Sequence, residues 1–188
     1  MRIAARVLLL LALLAGGAAA QTPAPEPDGF WMGGMGGPVP ATIAGGTVIG
    51  TAELEDLVGK GEAVLVDVAP SPRKPEGMAE GTLWLPPPHR SLPGAVWLAD
   101  VGRGALEPAY DDWYRERLAA LTGGDRSRPV VIFCHPDCWA SWNAARRAIL
   151  YGYSRVYWYP DGVEGWQDAG LPTEIVEPEL RPEPDSAE

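Results

Sequence analysis

Cys134 and Cys138 are the only two cysteines among 188 residues. They fall within Val131-Ile132-Phe133-Cys134-His135-Pro136-Asp137-Cys138-Trp139. An apolar, β-branched run ends on the first cysteine, and an alanine-rich helical stretch begins near the second. Both sulfurs therefore belong to a turn between a strand end and a helix N-terminus. Backbone N–H groups converge at such a turn, and the helix dipole favours negative charge there. A thiol in that place loses its proton more readily, and the thiolate is the form that attacks or binds metal. The chemistry this pair predicts is thiol exchange, sulfur transfer or metal ligation.

The N-terminus tells which compartment to expect. Arg2 and Arg6 precede an apolar run over residues 7–14, and Ala18-Ala19-Ala20 offers a small-residue cleavage site before Gln21. Residues 1–20 read as a secretory signal, far short of the roughly 20 apolar residues that cross a bilayer. No membrane association is expected after its removal, and the periplasm is the predicted location. In an oxidising compartment two thiols read as a disulfide more readily than they would in cytosol. Yet closing so short a loop stabilises a fold by only about 2 kcal/mol in the chain-entropy model, so a purely structural bridge is weakly motivated.

Charge narrows the partners. Fifteen Lys and Arg against 25 Asp and Glu give −10, and losing Arg2 and Arg6 with the leader leaves −12. Such a chain is a poor ligand for nucleic acid or anionic lipid.

Between its ends the chain alternates strand and helix. Strands are predicted at residues 47–50, 63–68, 95–98, 129–133 and 155–159. Helices are predicted at 51–58, with Thr51 as cap, at 110–121 and at 139–151. The expected fold is a single α/β domain over residues 46–172, with a mainly parallel five-stranded sheet and helices on both faces. Residues 21–45, rich in Pro and Gly, read as a flexible lead-in, with Phe30 and Trp31 available to dock on the domain. Residues 173–188, alternating acid and proline, read as a disordered tail. Ligands of open parallel sheets bind beyond the carboxyl ends of the strands; Cys134 and the residues after Asp67 lie at such ends.

The order of several segments resembles the rhodanese-like domain family. Val64-Leu65-Val66-Asp67-Val68, Leu92-Pro93-Gly94-Ala95-Val96, Val130-Val131-Ile132-Phe133-Cys134 and Gly162-Val163-Glu164-Gly165-Trp166 carry the likeness. Cys138-Trp139-Ala140-Ser141-Trp142-Asn143-Ala144-Ala145 and Tyr157-Trp158-Tyr159-Pro160-Asp161-Gly162 narrow it. With Trp84-Leu85-Pro86-Pro87-Pro88-His89-Arg90-Ser91, they resemble the exported CXXCW-motif proteins associated with PQQ-dependent catabolism. That resemblance implies the company of quinoprotein alcohol oxidation, with no implication that this chain binds PQQ. The family's sulfurtransferase loop offers N–H groups and a basic side chain to an anionic donor. Here Pro136 lacks an N–H and Asp137 repels anions, which makes thiosulfate and phosphate esters poor substrates.

Cys134 is thus expected to attack and Cys138 to resolve the resulting mixed disulfide or persulfide. The expected partner is a thiol- or sulfur-exchanging periplasmic protein, and no cofactor is expected. Asp137 is read as a helix cap, Arg90 as the source of a missing positive charge, and Trp139 and Trp142 as candidate pocket walls. Asp67 belongs to the same strand-end edge. Two alternatives stay open. Cys134, Cys138 and His135, one of only two histidines beside His89, could hold copper or zinc. Otherwise the pair is a structural disulfide in a non-catalytic binding module.

Overall fold

The computed structural model describes residues 22–179; the expected signal and the last residues of the tail lie outside that span. Five strands form the main sheet: β1 (Thr47–Val48), β2 (Val64–Asp67), β4 (Val96–Trp97), β5 (Val130–Phe133) and β6 (Val156–Tyr159). Their order is β1-β6-β5-β2-β4, and every neighbouring pair is parallel. The five expected strands are therefore all present, and the strand that leads into Cys134 is the central one.

Side chains of β2 and β5 alternate between two cores, as the two-residue period of a strand requires. Val64, Val66, Val130 and Ile132 face α2 (Pro108–Thr122) and α3 (Trp139–Leu150), meeting Tyr114, Leu118, Ala144 and Ala148. Leu65, Val131 and Phe133 face α1 (Thr51–Lys60) and α4 (Gly162–Asp168), meeting Leu54, Val163 and Trp166. Small alanines on α3 let that helix lie close against β5 and β6. Thr51 is the first residue of α1 rather than its cap. Gly50 holds the N-cap position, and Glu53 reaches back to the Gly50 N–H at 3.1 Å.

The expected tail is not disordered where it begins. β7 (Glu174–Val176) pairs antiparallel with β3 (His89–Ser91), a small second sheet that short, charged segments do not announce. Beyond it, Glu179 accepts two bonds from the Arg117 guanidinium, at 2.5 and 2.7 Å, and its N–H donates to the Trp97 carbonyl at 2.9 Å.

The lead-in departs further from expectation. Residues 24–45 form almost no regular structure, yet they lie packed along α3. Ala24 N–H bonds the Val39 carbonyl at 3.1 Å, and Glu26 accepts the Ala44 N–H at 3.0 Å. Asn143, fully buried, brackets Trp31 by accepting its N–H at 2.8 Å and donating to its carbonyl at 3.0 Å. The Arg147 guanidinium sits over the Phe30 ring at 4.0 Å. Aromatic anchors and a satisfied buried amide hold in place a segment whose composition alone reads as loose. Among the described residues, no helix is long and apolar enough to cross a membrane.

Candidate functional site

Cys134 is the first residue after β5 and is completely buried. Its carbonyl accepts the Val163 N–H at 3.0 Å, so the start of α4 presses on the loop. That approach needs glycine at position 162: φ is +62°, and a Cβ would stand 2.6 Å from the Cys134 oxygen. Cys138 is the N-cap of α3 and keeps 9% exposure. Ser141 donates to the Cys138 carbonyl at 3.1 Å and accepts the Trp158 indole N–H at 3.0 Å, tying the cap to β6.

The two sulfurs, both free thiols, differ in protonation. Burial pushes the Cys134 thiol well above the usual range, and the neighbouring Cys138 adds to the shift. Its S–H lies 3.6 Å from the carbonyls of His135 and Cys138, which keep a proton there. Cys138 moves the opposite way, down to about 6. The Cys134 thiol beside it is the largest cause; the Ala140 N–H at the helix start and His135 also favour the thiolate, against some loss of solvation. The expectation that Cys134 attacks and Cys138 resolves meets shifts that point the other way: burial raises the Cys134 thiol, and Cys138 is lowered. Both cysteines are buried, Cys134 completely and Cys138 with the small remaining exposure of the N-cap.

Two imidazole–carboxylate pairs stand at the same edge. His135 Nδ1 is 2.8 Å from Glu164 Oε1. His89 Nε2 is 2.7 Å from Asp67 Oδ2, and the buried Asp67 also accepts Ser91 Oγ at 2.6 Å and the Ala69 N–H at 2.9 Å. The His89 ring lies on Trp97 at 4.0 Å and meets His135 edge-on at 6.1 Å. Asp67 is thus engaged by His89, Ser91 and the Ala69 N–H.

Other expected residues fall elsewhere. Asp137 does not cap α3. It is exposed with φ +51°, and its carbonyl, not its side chain, takes the Gly37 N–H at 2.9 Å. Pro136 is exposed at the loop tip. Arg90 donates to the hydroxyl and carbonyl of Thr173, at 2.9 and 3.0 Å, instead of lending charge to the loop. Trp142 is core, its indole N–H on the Thr42 carbonyl at 3.1 Å. Trp139 is also buried, stacked under Trp31 with ring centroids 4.3 Å apart. Among the described residues no three His, Cys, Asp or Glu side chains are grouped so as to hold a metal ion.

Sequence reasoning missed Met35, Gly36, Asn143 and Glu164, whereas Trp31 docks on the domain as its residue type suggested. Only Ser141, one helical turn after Cys138, carried a readable spacing. Beside the first turn of α3 lies a hollow of about 420 Å³ lined by Met35, Pro70, Arg73, Gly102 and Ala140, among others.

A cysteine loop following the central strand of a parallel five-stranded α/β sheet defines a domain that sets a cysteine at a helix N-terminus. The chain belongs to the rhodanese-like domain family, whose model matches residues 50–169. Among curated proteins it is similar to the thiosulfate sulfurtransferase GlpE of Actinobacillus pleuropneumoniae, 35% identical over 52 residues. That match covers 28% of this chain and 47% of the relative, so the chain spans about half the length of the curated relatives it matches. Among solved structures it is similar to a thiosulfate sulfurtransferase from Pseudomonas aeruginosa, with 18% identity and a TM-score of 0.46 over 70% of this chain and 21% of that one. A polysulfide-sulfur transferase homodimer from Wolinella succinogenes gives 20% identity and a TM-score of 0.43, over 70% of this chain and 80% of that one.

Proposed function

We propose that this rhodanese-like domain is a periplasmic thiol protein that exchanges disulfide or sulfane sulfur with a partner protein through Cys138, with Cys134 as the buried second thiol. The observation that carries this reading is the placement of the pair, with Cys138 at the N-cap of α3 and Cys134 completely buried behind it. The N-cap position and the neighbouring thiol lower Cys138 to about 6, while burial raises Cys134. A low-pKa attacking thiol backed by a resolving thiol is the arrangement exchange requires. No cofactor is needed for it. The expected leader supports the periplasmic setting. The segments around Cys138 and Tyr157 that resemble PQQ-associated exported proteins support a partner in quinoprotein alcohol oxidation.

The test is a redox titration of the exported protein in glutathione buffers, read by alkylation and intact mass. A Cys134–Cys138 disulfide with a potential above roughly −250 mV fits exchange, whereas one below about −300 mV makes the pair structural and ends this reading. Incubation with a persulfide donor, followed by peptide mapping, separates sulfur transfer from disulfide exchange. Cell fractionation checks the compartment.

A further inference from the structure

Residues 35–37 meet the cysteine loop through backbone bonds. Trp139 N–H donates to the Met35 carbonyl at 2.8 Å, and Gly37 N–H donates to the Asp137 carbonyl at 2.9 Å. These bonds flank the antiparallel pair Gly36 and Cys138 and make it the non-hydrogen-bonded kind. In such a pair the Cα atoms stand about 4.5 Å apart with side chains on one face. A disulfide spans Cα separations of roughly 4.4–6.8 Å. The backbone spacing opposite Cys138 thus suits a disulfide once the Cys138 sulfur, which lies more than 4 Å from the Cβ position at 36, turns from Cys134 toward it; the residue there is glycine, with nothing to react. Neither space nor backbone demands glycine there: a Cβ on Gly36 meets no atom within 4 Å, and its φ lies outside the left-handed region.

Resting on the thiol-exchange reading above, we propose that the groove over Cys138 binds an extended, cysteine-bearing segment of the partner protein, and that residues 31–37 are its resident, unreactive occupant. The partner strand takes over the two backbone bonds of Met35 and Gly37, as in other strand-addition complexes, and sets its cysteine in the place of Gly36. The flanking positions define its preference. Position 35 opens on the hollow lined by Pro70, Gly102 and Ala140, which suits an apolar residue. Position 37 has φ +135°, which suits glycine. The favoured sequence is apolar-Cys-Gly.

The exchange balances. The Cys138 thiolate attacks the partner cysteine's sulfur, forming a mixed disulfide as the partner's own S–S bond breaks and its other sulfur leaves as thiolate, to be protonated by water. Cys134 then attacks the Cys138 sulfur, its proton passing to the departing partner cysteine. The pair is oxidised by two electrons and the partner reduced by two.

The experiment uses the exported wild-type protein and a synthetic peptide of residues 30–40 with Gly36→Cys, activated as its thionitrobenzoate mixed disulfide. Control peptides carry the cysteine one position to either side, and the thionitrobenzoate mixed disulfide of glutathione sets the base rate. Dye release from the Gly36→Cys peptide should be at least ten-fold faster than from either control. Trp31→Ala in the protein should accelerate that peptide several-fold more than the glutathione reagent. Equal rates for the three registers, with the glutathione reagent still reacting, overturn the groove and leave the thiol-exchange reading standing. No reaction from any reagent overturns both. A full-chain Gly36→Cys, Cys134→Ser variant should close a disulfide between position 36 and Cys138 by mass mapping; its absence counts against the register.

Discussion

Trp31 lies flat on Trp139, with ring planes 12° apart and centroids at 4.3 Å. The segment that precedes the α/β domain therefore roofs the helix whose N-cap is Cys138. Trp139 meets Trp142 edge-on from the other side, at 5.7 Å and 73°. A three-tryptophan stack thus links the lead-in to the core at the residue next to the reactive sulfur.

The pH dependence of Cys138 follows from its lowered pKa. The nucleophile is the thiolate, so alkylation of the folded protein by iodoacetamide should rise with pH through about 6 and level off above roughly 7.5. Cys134→Ala removes the largest stabilising influence on that thiolate, and the midpoint should move up toward the free-cysteine value of about 8.5. A rate-against-pH profile resolved by peptide mapping checks both. An unmoved midpoint would assign the low pKa to the helix start instead.

Removing Asn143 should loosen the roof before it unfolds the domain. Asn143→Ala deletes the bracket on Trp31 and a third bond, to the Gly102 carbonyl at 3.0 Å. Leaving such buried groups unpaired costs about 1–3 kcal/mol. Urea melts measure that loss, and limited proteolysis should cut first within residues 22–40.

Gly162→Ala should cost more than an ordinary surface change, at least about 2 kcal/mol. It combines left-handed backbone with a clash against the loop carbonyl. Thermal denaturation reads the stability loss. A parallel fall in Cys138 reactivity would show that α4 sets the shape of the loop.

Arg117→Ala tests the docking of residues 174–179. The pair with Glu179 is about one-third exposed, so its contribution to stability is at most about 1 kcal/mol. The expected signature is faster amide exchange at residues 174–179, with little change in the melting midpoint.

The α/β plan was legible because strand and helix alternate, with turn residues between them, over most of the domain. The place of the cysteines was legible from the β-branched run into Cys134 and the alanines after Cys138. Their difference in environment was not. It depends on which sulfur is sealed beneath α4 and which sits at the helix start, a difference of burial between residues four apart. The lead-in was misread for a different reason. Its glycines and prolines carry no period, and its anchoring partners, Asn143 and Trp139, lie more than a hundred residues away. The His135–Glu164 and His89–Asp67 pairs are equally non-local, formed only once the strand ends converge.

Pro178 pairs with Trp97 along the outer side of β4. A strand at the end of a sheet normally presents free N–H and C=O groups on which another molecule can build. Here the Trp97 carbonyl is already taken by Glu179, and the residue laid beside it is a proline, which has no N–H to offer onward. The chain's C-terminal segment thereby guards this side of the sheet against templated growth, so that copies crowded together have no strand edge at β4 on which to polymerise.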